Sequence, residues 1–202
     1  MIIVITALKG GTGKTTTAIH LAAHFHEQAP TLLIDADKNR SALIWSREEK
    51  LPFYVASQAG STALIRKATH IIIDTQARPE IEELKDLAAE SDLLVIPTTP
   101  NHLDIDATLK AVELLQSFNA QYKVLLTQVD SRTKHGRSAR KQLEKLDLPL
   151  FKTDIPRLVA FERAPSQGVT VKDYPDPRAQ KAWSRYQAVG REILSISGND
   201  GD

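Results

Sequence analysis

The 202-residue chain contains no cysteine, which excludes disulfide bonds, cysteine-ligated zinc and iron–sulfur clusters. Its apolar runs are far shorter than a membrane span, and charged and glycine residues interrupt the N-terminal apolar stretch before it could form a signal peptide. Hydrophobic residues make up 42% and charged residues 25%, which are ordinary values for a globular protein with a packed core. We therefore expect a cytoplasmic protein without a membrane partner, and the length suits one domain.

A strong net charge is also absent, because the formal charge is only +1. The charges are nevertheless unevenly distributed: residues 131–191 contain 14 Lys and Arg against 6 Asp and Glu, whereas residues 1–130 contain 12 against 16. A basic C-terminal third is typical of a surface that contacts a polyanion, and equally of ordinary solvated helix faces. Charge alone leaves both interpretations open.

A glycine-rich run with two lysines lies between the first apolar stretch and the first helical pattern. It covers residues 9–15, and its sequence is KGGTGKT. Glycines allow the backbone to curl so that successive N–H groups point inward, and the N-terminus of the following helix adds partial positive charge. In such a phosphate-binding loop (P-loop), Lys14 reaches the β- and γ-phosphates of a nucleotide and the Thr15 hydroxyl holds Mg²⁺. The predicted nucleotide-binding residues of this segment are Lys9, Gly10, Gly11, Thr12, Gly13, Lys14, Thr15 and Thr16.

Short apolar stretches alternate with helical patterns along the chain. The stretches have the length of buried strands and lie at residues 2–5, 31–34, 70–73, 93–96, 124–127 and, more weakly, 148–152. Helical periodicity occupies residues 14–28, 39–49, 79–90, 104–119, 134–146 and 178–196. This alternation predicts an α/β fold of the P-loop NTPase type, with one domain, a mostly parallel sheet and helices on both faces. We assign residues 1–196 to this domain and expect residues 197–202 to form a disordered acidic tail.

Three aspartates directly follow predicted strands. Asp35 and Asp37 come after the second strand, and Asp74 ends a later one. A lone aspartate in this position most often caps a helix or a turn. Because ligands collect at the carboxyl ends of strands in open α/β sheets, a P-loop at the same edge favours a functional role. We expect Asp74 to act with Thr15 at the metal, and Asp35 or Asp37 to orient the attacking water.

These segments together resemble the deviant Walker A ATPases of the ParA/MinD class, whose defining loop is KGGxGK followed by serine or threonine. Residues 33–37, LIDAD, are similar to the Asp-x-Asp motif of that class, and residues 126–132 resemble the segment after a late strand in partition ATPases. Residues 162–168 and 174–178 resemble the EAPSxG…YDPR stretch of ParA and Soj proteins. The resemblance runs from residue 2 to about residue 195, and the length is similar to that of small plasmid partition ATPases.

The resemblance implies an ATPase that uses ATP and Mg²⁺ and hydrolyses ATP slowly unless a partner stimulates it. In this class Lys9 crosses a homodimer interface to the phosphates of the other subunit, so that ATP assembles a sandwich dimer. Lys9, Lys14 and Asp37 would be the catalytic residues, with Asp37 activating water. Thr15 and Asp74 would hold the metal. Adenine contacts are expected from loops after late strands, namely Gln128, Pro156 and Arg157.

The resemblance further implies that the ATP dimer binds nucleoid DNA without sequence preference and moves a plasmid or chromosome with a ParB-like adaptor. The last helical pattern separates an apolar stripe from a basic stripe, which is the expected DNA surface. The predicted DNA-binding residues are Arg163, Lys172, Arg178, Lys181 and Arg185.

Three other functions fit parts of the same pattern. A ParA-like ATPase that positions a protein organelle such as the carboxysome would have almost the same sequence features. A MinD-like membrane-cycling ATPase needs a C-terminal amphipathic helix rich in lysine and large apolar residues, whereas this chain ends with an acidic segment. A P-loop metabolic enzyme would need a motif for a second small substrate, and none is recognisable.

His20 and His24 lie one helical turn apart, a spacing able to hold zinc. A zinc site needs more than two ligands, so we interpret both as helix-face residues. Trp45 and Trp183 are interpreted as packing or interface residues rather than as platforms for bases.

Overall fold

The computed structural model describes residues 1–130 and 132–197 and contains one six-stranded sheet in which every pairing is parallel. The strands are β1 (Ile2–Ala7), β2 (Thr31–Ala36), β3 (Tyr54–Ser57), β4 (His70–Ala77), β5 (Leu93–Thr98) and β6 (Tyr122–Leu126). Their order across the sheet is β3-β2-β4-β1-β5-β6. This order places the carboxyl ends of β1, β2 and β4 side by side, so the segments that follow these strands meet at one edge.

Eight helices connect or follow the strands in the described part of the chain. They are α1 (Lys14–His26), α2 (Ser41–Trp45), α3 (Thr62–Ile65), α4 (Ile81–Glu90), α5 (His102–Ser117), α6 (Lys134–Lys145), α7 (Val159–Arg163) and α8 (Ala179–Ser197). Two short 3-10 turns, Ser46–Glu48 and Ala164–Gln167, follow α2 and α7. Helix α8 includes the first residue of the predicted tail, and the remainder of that tail, residues 198–202, lies outside the described residues.

Successive strand residues face opposite sides of the sheet, and both sides carry an apolar core. On one side Ile3, Ile5 and Ile72 pack with α1, α2, α7 and α8. On the other side Val4 and Leu94 pack with α4 and α5. Full burial of one such side chain stabilises the fold by roughly 1.5–3 kcal/mol relative to exposure. The predicted α/β fold with a parallel sheet and helices on both faces is confirmed.

Two details of the strand prediction are wrong. Residues 148–152 form no strand, because only Leu150 makes a parallel bridge, to Val124. Pro149 lacks an N–H group, so it cannot donate to a ladder, and the pairing stops there. The sixth strand is instead β3, which pairs with β2 at the sheet edge. Its sequence, YVAS, has too short an apolar run to signal a strand.

Candidate nucleotide-binding site

The P-loop connects the end of β1 to the start of α1. Gly11 and Gly13 adopt left-handed backbone conformations, with φ angles of 80° and 91°, which side-chain-bearing residues rarely adopt. Gly13 is the residue immediately before α1, and its carbonyl accepts the first helical hydrogen bond from Thr17 N at 2.9 Å. The first N–H groups of α1 therefore lack helical partners and face the loop, which suits an anion. Lys14 begins the helix and is 7% exposed.

Two residues after β6 hold the P-loop in place. The Thr127 hydroxyl donates to the Thr12 carbonyl oxygen at 2.8 Å, and the Thr98 carbonyl oxygen, a second possible acceptor, lies 3.1 Å away. The Gln128 side-chain amide donates to the Gly11 carbonyl at 2.7 Å. Gln128 therefore has a second contact besides the adenine contact predicted for it. Thr127 was not among the predicted site residues, because a single threonine 115 positions away in sequence carries no local signal.

Thr15 and Asp74, the predicted metal residues, are in direct contact. The Thr15 hydroxyl donates to Asp74 Oδ2 at 2.7 Å, while Asp74 Oδ1 is buried and has no hydrogen-bond partner among the described residues. Burial raises the pKa of Asp74 to about 7; the Thr15 hydrogen bond and Lys14 oppose this rise, and the Asp35 carboxylate adds to it. A buried carboxylate with one free oxygen beside a hydroxyl fits Mg²⁺, which takes oxygen ligands and supplies the compensating charge.

Asp35 and Asp37 make different contacts. Asp35 uses both carboxylate oxygens on backbone N–H groups, accepting from Asp37 at 3.1 Å and from Leu43 at 2.9 Å. Asp35 is therefore occupied in holding the turn that follows β2. Asp37 is half-buried, and among the described residues its carboxylate accepts a hydrogen bond only at Oδ1, from the Asn39 N–H at 2.8 Å. Of the two alternatives for water activation, this geometry favours Asp37.

Lys9 does not extend towards solvent but forms an ion pair with Asp104 near the start of α5. The lysine side chain is 33% exposed and that of Asp104 only 10%. Asp104 also accepts a hydrogen bond from the Thr99 hydroxyl at 2.6 Å through its other oxygen. Asp104 is thus a second residue that the sequence did not predict, since it lies 95 positions from Lys9.

The three predicted adenine contacts converge on one cavity beside the P-loop. The cavity has a volume of about 160 Å³, and Gly13 and Thr16 form its loop side. Gln128, Pro156 and Arg157 line the rest of it together with residues not predicted from the sequence, among them Leu158, Phe161 and Tyr186. This placement is consistent with a base beside the phosphates.

The predicted DNA-binding residues do not form one group. Arg178 and Lys181 line a second cavity, of about 330 Å³, with Arg157. Lys181 also lines a smaller cavity with Arg185. Arg157, Arg178, Lys181 and Arg185 therefore lie near one another on an exposed surface that adjoins the cavity beside the P-loop.

Lys172 and Arg163 line neither of these two cavities. The Lys172 ammonium donates to Glu27 at 2.7 Å and lies 5.8 Å from the centre of the Trp183 ring. The ion pair with Glu27 raises the pKa of Lys172 and occupies its charge. Arg163 is exposed at the end of α7.

Residues 3–171 match the CobQ/CobB/MinD/ParA nucleotide binding domain. The chain belongs to this family. It is 31% identical to the maintenance of carboxysome distribution protein A of Gloeobacter kilaueensis, over 92% of this chain and 90% of that protein. It is 27% identical to the chromosome-partitioning ATPase Soj of Treponema pallidum, over 94% of this chain and 95% of that protein.

The same fold occurs in a putative plasmid partition protein of Borrelia burgdorferi that was solved with AMPPNP. This chain matches that structure with a TM-score of 0.77 and 17% sequence identity, and the match covers 96% of this chain and 98% of the other. The resemblance to the ParA/MinD class is therefore confirmed by sequence and by fold.

Two further features bear on the alternatives. Within residues 1–130 and 132–197, no helix is long and apolar enough to cross a membrane. The same residues contain no group of three or more acidic or histidine side chains arranged to hold a metal ion. His20 and His24 are both buried rather than exposed on a helix face, at 0% and 5%.

Proposed function

We propose that this chain is an ATPase that forms a sandwich dimer with ATP, binds DNA without sequence preference and positions a cargo with a stimulating adaptor protein. ATP and Mg²⁺ are its cofactors. The observation that carries the proposal is the contact between Thr15 and Asp74 beneath a loop with two left-handed glycines. Family membership supports the ATPase activity, because the match spans the loop and both aspartate segments.

In this proposal each residue of the site has a separate role in ATP hydrolysis, which depends on where the fold places it. Lys14 and the N–H groups at the start of α1 bind and orient the phosphates. Thr15 and Asp74 would hold Mg²⁺, which would neutralise charge on the phosphate oxygens. Asp37 orients the attacking water from the turn after β2. Such catalysis consists of positioning and charge stabilisation.

Dimerisation gives Lys9 its role in this proposal. The isolated chain keeps its ammonium on Asp104. Facing an ATP-loaded partner, the same ammonium would move to the other subunit's phosphates. Asp104 therefore competes with the phosphates for Lys9. The dimer forms only when Lys9 binds the partner's phosphates more strongly than it binds Asp104.

The DNA surface in this proposal centres on Arg178, Lys181 and Arg185, and it includes Arg163 at the exposed end of α7. Lys172 contributes less, because its charge is already paired with Glu27. Lysine and arginine contacts to phosphates release counterions, so the binding is expected to weaken steeply with salt.

The deciding experiment measures binding to a fluorescent random-sequence DNA duplex with ATP, with ADP and without nucleotide. Asp37→Ala, which is expected to keep ATP bound, is measured beside the wild type, and Lys14→Ala serves as the nucleotide-binding control. We expect tight, salt-sensitive binding only with ATP, and none for Lys14→Ala. An absence of binding by both the wild type and Asp37→Ala under every condition would refute the DNA-based mechanism.

A matched pair of triple variants locates the surface. Replacing Arg178, Lys181 and Arg185 by alanine should weaken binding at least tenfold and flatten its salt dependence. The control replaces exposed lysines and an arginine elsewhere, with the same change in net charge: Arg66, Lys67 and Lys110. Equal losses in the two triple variants would show that another surface contacts DNA.

The cargo has two candidates. A plasmid or chromosome is one, as for Soj. A protein organelle is the other, and the 31% identity to a carboxysome distribution protein over most of both chains favours it. In cells that lack this chain, loss of a low-copy replicon would indicate partition, whereas clustering of organelles with stable replicons would indicate organelle positioning.

A further inference from the structure

The sheet face between α3 and α4 is only partly covered. Ile71 and Ile73 face it from β4, the third of six strands across the sheet, yet both remain partly exposed. Ile72 lies between them on the opposite face and is fully buried. Parallel sheets ordinarily have both faces covered by helices. Here the connection from β3 to β4 contributes a helix of only four residues, α3, which is too short to cover the strands.

The uncovered area is a groove of about 740 Å³, larger than the cavity beside the P-loop and the basic cavity next to it. We call it the α3–α4 groove. Ile71 and Ile73 form its floor with Ile2 and Val4 of β1 and Ile34 of β2. This floor is continuous and apolar across three adjacent strands.

One wall of the groove is acidic. Glu83, Asp86 and Glu90 line it from α4 at spacings of three and four residues, so they share one helix face. Glu83 accepts a hydrogen bond from the Gln76 side chain at 3.0 Å. Asp86 and Glu90 form no ion pair with any residue in the part of the chain that the structure describes. The opposite wall is neutral and includes Ile65, which is 40% exposed.

We propose that the α3–α4 groove binds an amphipathic helix of a partner protein, with apolar side chains on the isoleucine floor and lysine or arginine along one edge. The acidic wall spans eight residues, 83–90, or about 10 Å of helix, so it matches basic residues on about two turns of the bound helix. The apolar floor complements the apolar face of such a helix, and the carboxylates of Asp86 and Glu90 complement its basic edge. These two features together indicate this occupant.

The charge of the wall also disfavours other occupants. Nucleic acid would be repelled by three carboxylates. The chain's own C-terminal segment, residues 198–202, is acidic and would be repelled as well. None of the lining residues belongs to the P-loop, so this proposal stands or falls independently of the proposed function.

The test uses the full chain without nucleotide and a fluorescent amphipathic peptide of about 15 residues with leucine on its apolar face and lysine on one edge. An otherwise identical peptide with glutamate in place of lysine is the control ligand. Anisotropy should show binding of the basic peptide, weaker binding at high salt, and little binding of the acidic one.

Matched variants locate the contact. Asp86→Lys combined with Glu90→Lys should weaken peptide binding about tenfold, since each exposed ion pair is lost and replaced by repulsion. Glu82→Lys combined with Glu113→Lys changes the net charge equally outside the groove and should leave binding unchanged. Ile65→Ser should also weaken binding.

Three outcomes would overturn the proposal. They are equal binding by both double variants, equal binding of the acidic peptide, and self-association of the chain that is lost only in Asp86→Lys/Glu90→Lys. The last outcome would identify a second copy of the chain as the occupant. ATP-dependent DNA binding, measured separately, would be unaffected by any of them.

Discussion

Replacing His20 by glutamine should remove a large part of the acid sensitivity of the folded protein. His20 Nδ1 lies 2.6 Å from the Thr16 carbonyl oxygen, and Nε2 lies 3.1 Å from the backbone N–H of Val171. A carbonyl only accepts and a backbone N–H only donates, so the proton is on Nδ1 and Nε2 keeps its lone pair. The ring also stacks on Tyr186, with centroids 4.8 Å apart. If Nε2 were also protonated, its N–H would point at the Val171 N–H, and neither group would have an acceptor in this fully buried site.

The size of the effect follows from the pKa of His20. Burial lowers it from 6.5 to about 4, against the opposing effect of the Thr16 carbonyl. The unfolded chain therefore binds a proton at a higher pH than the folded one, and the stabilising contribution is complete only above about pH 6.5. It is lost as the pH falls from 6.5 to 4, by about 3 kcal/mol in total and about 2 kcal/mol at pH 5.

Urea unfolding of the nucleotide-free protein at pH 7.5 and pH 5 measures this contribution. Between these two pH values the wild type should lose about 2 kcal/mol more stability than His20→Gln, whose amide oxygen can still accept from Val171. Burial also lowers the pKa values of His24 and His70, and it raises that of Asp74, so only the difference between the two proteins is diagnostic. His102→Gln, at an exposed position on α5, is the control.

The same pH dependence in the wild type and in His20→Gln would refute this reasoning, because it would mean that His20 does not change its protonation on unfolding.

Two further predictions concern the crossing of α1 with α8 and the position of Lys9. A Cβ atom on Gly190 would lie 1.9 Å from His24 Cδ2, so Gly190→Ala should lower the unfolding free energy by about 1–3 kcal/mol. Gly10→Ala is the control, since its Cβ meets no atom within 4 Å, and unchanged thermal stability of Gly190→Ala would contradict the packing argument. Asp104→Asn removes the carboxylate that holds Lys9, so ATP-dependent dimers should form at severalfold lower protein concentration in sedimentation experiments. Weaker dimerisation of that variant would indicate that Asp104 instead supports Lys9 in the dimer.

Local sequence patterns predicted those parts of the site that adjoin strand ends. The P-loop lies between an apolar strand and a helix, and Asp74 ends another apolar run, so their meeting follows from the parallel sheet. Thr15 and Asp74 lie 59 positions apart, and their contact was still predictable because β1 and β4 are neighbours. The register pairs Asp74 directly with Ile5 of β1.

Contacts that depend on the packing of distant loops were not predictable. Thr127 lies in the segment 126–132 that resembles partition ATPases, but nothing in that segment indicated a contact with the P-loop, and Asp104 belongs to no motif. Both contacts form only when the ends of β5 and β6 come beside the P-loop. The strand prediction was wrong at residues 148–152 for a related reason, since an apolar run there packs on β6 without a ladder. Burial of His20 was missed because the rings that cover it, those of Trp45, Phe161 and Tyr186, come from three helices further along the chain.

Most contacts around the P-loop are formed within a single chain. In the proposed function, the contact of Lys9 with a phosphate is different, because it requires a second subunit. Thr127 and Gln128 hold the loop carbonyls, and Asp74 accepts the Thr15 hydroxyl, without a second subunit. Lys9 differs, because a nearly buried carboxylate already satisfies its charge. A phosphate on a facing subunit must outcompete that carboxylate, and a γ-phosphate brings more negative charge to the interface than ADP does. In the proposed function, this competition alone would make the dimer selective for ATP, with no rearrangement of the sheet. A dimer that is equally stable with ADP would contradict this explanation.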